Sequence, residues 1–280
     1  MVTFSANGEH LLNGGKDENI EVWRVQDSQR AATIEAMNVI CLAVSKNGKW
    51  IAGGTYWREV LVWDAETYER VWQQEEGYAG EILAVDFSLD STKLVSGSLN
   101  RTATIWDVAS GEKIQTLRHK QGLIAAKFSS DGDRIATATY KGSVRVWDSI
   151  NGHLLVDIPV TVTPWYNHGL LWFNNHIFVV SGGKIKQLDA STGSTVSEWQ
   201  VPNGDLNSCI AILRHGKFIA YSTSRSVTFW DTSTHLQIDL VEHIEDICSI
   251  ALSPDNRSLA IGGCYGTIIT EGLSHITVSA

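Results

Sequence analysis

"GSVRVWDSINGHLL", residues 142–155, decides how this chain is read. An apolar alternation ends on Trp147, an acid follows at Asp148, and a turn at Asn151–Gly152 leads into another apolar stretch. The pattern returns as "EVLVWDAETYERVW" around Trp63, "ATATIWDVASGEKIQTL" around Trp106 and "SVTFWDTSTHLQIDL" around Trp230. Trp23 ends a fifth such stretch. Midway between Trp147 and Trp230, "GGKIKQLDASTG" puts Leu188 in the Trp place and Asp189 in the Asp place. After Trp230 the next place falls on Glu271, in "YGTIITEGL". Seven units result, with steps of 40 to 43 residues. A fixed period of this length is the mark of a repeat architecture.

Each unit has one internal order, clearest between about 121 and 160. "LIAAKFS" reads as a buried strand, "SDGD" as a hairpin turn, "RIATAT" as a second strand. "YKG" turns into "SVRVW", and "DSINGH" turns into "LLVDI". Asn7-Gly8 and Asn47-Gly48 repeat the first turn; Gly111, Gly152 and Gly193 repeat the last. A four-stranded sheet that is apolar on both faces cannot stand alone. Seven of them set radially bury each face against a neighbour. The expected fold is therefore all-β: a seven-bladed β-propeller of four-stranded antiparallel blades. One domain spans 1–280, with blades at about 1–36, 37–77, 78–119, 120–160, 161–201, 202–242 and 243–280.

The period, with "SGS…TIWD", "TAT…VRVWD" and "SPDNRSLAIGG", resembles the WD-repeat β-propeller family over the whole chain. The Trp would fill the wedge between blades, its N–H finding a partner. The Asp would fold its carboxylate onto following backbone N–H groups. The resemblance also implies a network of a His before the first strand, a Ser/Thr on the second, an Asp in the next turn, and the Trp. His119 and His243 match the His place and Asp17 the turn Asp. Trp57, Asn100, Lys141, Ser224 and Tyr265 hold other turn places, and no unit has all four partners. Weaker locking between blades is expected. The first strand, at 1–5, and a last one at about 274–279, "SHITVS", would close the ring by packing alone. The diverged repeats also resemble fungal WD-repeat proteins, or the ligand-sensing WD-repeat tail of nucleotide-binding signalling proteins, in which case this chain is a fragment.

Composition narrows the function. Net charge is −9, with 22 basic against 31 acidic residues, which disfavours nucleic acid and an anionic membrane surface as partners. No apolar run reaches the length of a membrane span. Cys41, Cys209, Cys248 and Cys264 read as far apart in sequence, the first three in apolar runs. All four read as reduced, in a cytoplasmic or nuclear protein. No Cys-x-x-Cys pair, P-loop or nucleophile motif is present. "VEHIEDIC" could hold a cation but also reads as a plain polar loop. No catalytic residue, no metal and no cofactor is assigned, and the chain reads as non-enzymatic and monomeric.

What remains is a surface. In WD-repeat propellers partners often bind the face built from the loops entering each first strand and the turns joining second and third strands. On that resemblance the face would carry Tyr56, Trp57, Arg58, Tyr78, Arg101, Tyr140, Trp165, Tyr166, Arg225 and Tyr265. Hairpin turns favour Gly, Asn, Asp and Ser, and nothing in their geometry asks for "TYWRE". Trp, Tyr and Arg dominate binding hot spots. Trp57 either anchors a partner or folds onto its own blade. Arg58, Arg101 and Arg225 read as corresponding places on one rim, able to receive an acidic protein or peptide segment. The rival reading is a small-ligand or glycan site using Trp57, Trp165 and Tyr166.

Overall fold

The computed structural model describes residues 1–15, 19–75, 80–140, 142–160, 162, 169–201, 209–213 and 216–273. Nearly all of the regular structure is strand, in seven antiparallel sheets that follow one another along the chain. Six have four strands. The seventh shows three among the described residues, Ile247–Leu252, Ser258–Gly263 and Ile268–Gly272. The expected strand at 274–279 lies outside them.

Blade four shows why the sequence folds this way. Leu123–Phe128 pairs with Arg134–Thr139, that strand with Val144–Asp148, and that with Leu154–Ile158. The inner strands are apolar on both faces because both are covered; the outermost alternates because one side meets water. The register repeats. Trp63 lies opposite Ile51, Trp106 opposite Leu94, Trp147 opposite Ile135 and Trp230 opposite Ile219. Leu188 lies opposite Ile177 and Glu271 opposite Leu259, so the degenerate copies stand in phase. In all six four-stranded blades the pairing with the outer strand shifts by one residue at this same place. A bulge there increases twist, which turns each outer strand away from the axis.

The turn acids behave as expected. Asp64, Asp148, Asp189 and Asp231 each accept two following backbone N–H groups at 2.8–3.0 Å, and Asp107 accepts one, from Ser110. These bonds hold all five carboxyls below their ordinary range. At Asp231 the Ser233 hydroxyl contributes most, and the value falls to about 2.

First strands line the centre and pack in cyclic order, the last against the first. Seven apolar clusters fill the seven gaps between neighbouring blades. Among the described residues the gap between blades seven and one has the smallest, Val2, Phe4 and Leu11 against Ala260. This seam is not packing alone, since the Val2 N–H also donates to Ser249 Oγ at 3.2 Å.

The polar network is partial. In blade four, Thr137 Oγ1 meets His119 Nε2 at 2.9 Å and accepts from Trp147 Nε1 at 2.8 Å. Trp106 donates to Ser96 and Trp230 to Thr228. Trp23 Nε1 and His243 Nε2 are buried without a partner among the described residues. At His243 the reason is visible: the register puts Ile261 in the place of Thr137. Asp17 and Lys141 lie outside the described residues. Other ties join the blades. Trp72 Nε1 donates to the Val108 carbonyl, Asp86 takes both Lys127 and the Phe128 N–H, and Arg134 donates to Asn175.

One expectation is corrected. Cys248 and Cys264 form a disulfide, while Cys41 and Cys209 are unbridged and buried. Cys248 is the extra residue of a bulge between Ile247 and Ser249. That bulge brings it within 5.4 Å, Cα to Cα, of a residue sixteen positions on. The cysteine argument for a reducing compartment falls with this bond.

Candidate functional site

The turns between second and third strands share a frame in blades two, three, four and seven. The first turn residue is Tyr56, Leu99, Tyr140 or Cys264; its N–H bonds a carbonyl of the segment entering the blade. The third is Arg58, Arg101, Gly142 or Gly266, its N–H closing the turn. Arg58 and Arg101 have φ of 74° and 76°. Gly266, at φ 97°, occupies the place without a side chain. L-residues tolerate that region at a cost of about 1 kcal/mol.

This frame decides what each candidate can reach. Between two hydrogen-bonded strands the second turn position has no core to enter. Trp57 stands there 57 % exposed, beside Tyr56 at 43 %, and Tyr265 holds the same position in blade seven at 86 %. Tyr140 differs, being half-buried against the core between blades four and five. Tyr78, Trp165 and Tyr166 lie outside the described residues, as does His168.

The arginines separate. Arg58 reaches Glu75 at 3.8 Å and Arg225 reaches Asp246 at 3.3 Å. Arg101 is exposed and belongs to no ion pair among the described residues. The correspondence expected for Arg225 is also corrected. Its turn spans Thr223 to Ser226 between the paired Ser222 and Val227, one residue fewer than the five from Thr55 to Glu59. Arg225 therefore stands outside the left-handed place of Arg58 and Arg101.

"VEHIEDIC" is occupied by its own groups. His243 Nδ1 lies 3.0 Å from the Glu245 carbonyl, and the Glu245 carboxylate accepts from Thr267 and from the Tyr265 N–H. The Thr267 hydroxyl is the main reason the Glu245 carboxyl sits below its ordinary value. Sequence reasoning missed one concave place, a cleft of about 280 Å³ between blades one and seven. Leu11, Trp23 and Ile268 line it with Glu21 and Arg24; Trp57 does not. No described helix is long and apolar enough to cross a membrane.

Comparison with known proteins agrees with the repeat. The family model described as "WD domain, G-beta repeat" matches residues 30–64, 70–107 and 111–148. The chain is 27 % identical over 163 residues to autophagy-related protein 16 of Arabidopsis thaliana, covering 56 % of this chain and 31 % of that protein. It is 26 % identical over 210 residues to apoptotic protease-activating factor 1 of Rattus norvegicus, covering 73 % and 16 %. It thus spans less than a third of either relative. Among solved structures, a chain of the mitotic checkpoint complex superposes with a TM-score of 0.81 at 18 % identity, over 97 % of this chain and 88 % of that one. With the repeat model matched over three stretches between residues 30 and 148 and all seven blades in one register, the chain carries WD-domain repeats and folds as a seven-bladed β-propeller similar to WD-repeat proteins.

Proposed function

We propose that this chain is a non-enzymatic binding platform. It takes a protein or peptide partner on the face that carries the turns between second and third strands. The observation that carries the reading is Tyr56–Trp57, two large aromatics held in water by a hairpin turn that requires neither. Rigid strands fix such side chains before binding, so little ordering cost remains for the encounter. Arg58 and Tyr265 extend the face. The chain acts as a monomer, and its charge of −9 turns it away from nucleic acid. Its likeness to part of apoptotic protease-activating factor 1 favours a second reading, a sensor segment of a larger signalling protein.

The test is affinity capture from a native lysate, with the chain beside a Trp57→Ala/Arg58→Glu variant of matched circular dichroism. A protein kept by the wild type and lost by the variant supports the face. The same protein kept by both removes Trp57 from it.

A further inference from the structure

Several basic side chains near the turns already have an acid. Arg58 and Arg225 hold Glu75 and Asp246, and Arg145, on the third strand of blade four, holds Asp157. One stretch of rim differs. Arg101, Arg118 and Lys120 are all exposed, and none belongs to an ion pair among the described residues. The backbone draws them together: Arg118 pairs with Thr102, beside Arg101, and the Arg101 carbonyl accepts the His119 N–H at 2.9 Å.

Apolar surface adjoins these cations. Leu99, 38 % exposed, lies two residues before Arg101. A Cβ on Gly122 would stand 2.9 Å from Leu99 Cδ2, so the two segments touch. The Gly122 carbonyl in turn accepts the Tyr140 N–H at 2.8 Å. Leu99, Lys120–Gly122 and Tyr140 are thus continuous across blades three and four. Glu81 borders the patch through its carbonyl, which accepts the Leu99 N–H.

We infer that this rim, Leu99, Arg101, Arg118, Lys120 and Tyr140, docks an acidic peptide segment carrying an apolar anchor. The inference deepens the binding-platform reading and rests on it. Charge complementarity selects the partner: three neighbouring cations outside any described ion pair, on a chain of net charge −9, make this rim a local attractor for carboxylates. Arg101 also has a left-handed backbone that glycine would adopt without strain, so an arginine stands there at a local cost.

The experiment is fluorescence anisotropy with a labelled peptide of Asp and Glu residues around a central Leu-Phe pair. The positive charge at position 101 is removed in two ways, by Arg101→Glu/Lys120→Glu and by Arg101→Gly, which relaxes the left-handed turn, and both variants are first matched to the wild type by circular dichroism. Binding to the wild type that weakens with salt, drops at least about tenfold in the double variant, drops also in Arg101→Gly, and survives Lys49→Glu, at the exposed turn joining the first and second strands of blade two, supports the site. Equal affinity in all variants overturns it, as does preference for an oligouridylate over the peptide. A wild type that ignores the peptide overturns it too. Loss of lysate capture in the Trp57→Ala/Arg58→Glu variant would then still uphold the platform reading.

Discussion

Thr137 serves two buried groups at once, His119 Nε2 and Trp147 Nε1. Thr137→Val keeps the shape and strands both. It is expected to cost about 2–3 kcal/mol, read from the urea midpoint. His243→Ala should cost less than His119→Ala, because His243 Nε2 has no partner to lose among the described residues. Burial, and then the charge of Arg145, lower the His119 pKa to about 4. An unfolded His titrates near 6.5. As pH falls from about 6.5 to about 4 the unfolded chain takes up a proton that the folded one refuses, so stability falls by at most about 3 kcal/mol. The turn aspartates act lower. Their folded pKa values lie below the unfolded ones, so what they contribute is complete above about pH 4. It is lost as pH drops toward about 2 for Asp231. His119→Leu should flatten the upper limb and leave the lower. The aspartate bonds were legible in the sequence because an Asx turn is local. The orphaned His243 was not, since it depends on which residue lies across the sheet.

At the scale of the turn, φ rather than composition separates the candidates. Arg101→Gly should stabilise the chain by up to about 1 kcal/mol, measured as a raised urea midpoint. A loss of stability would show that the Arg101 side chain is structural. The sequence showed aromatic and basic turns, but it hid the missing residue in the Thr223–Ser226 turn that takes Arg225 out of line. It also hid the disulfide, because a bulge, not a local preference, brings Cys248 beside Cys264. Titrating thiols in denaturant should count two before reduction and four after it. Closing a loop of this length stabilises by about 3 kcal/mol, so reductant should lower the melting temperature.

Across the whole molecule the period determined the architecture, down to Glu271 standing where a Trp is replaced, because a radial array admits only one register. Ring closure was less legible, since it depends on contact between residues some 250 apart, such as Val2 and Ser249. The seam's small cluster makes it sensitive. Phe4→Ala is expected to cost about 3–5 kcal/mol and to loosen blades one and seven first, seen as faster amide exchange there. On the binding-platform reading, partners meet the face of the second-to-third turns. The most direct test of that reading is hydrogen–deuterium exchange of the chain alone and with its captured partner. Protection confined to residues 55–59 and neighbouring turns of that face is predicted. Protection instead at the opposite turns, 46–49, 89–92 and 130–133, with 55–59 unchanged, would contradict the account.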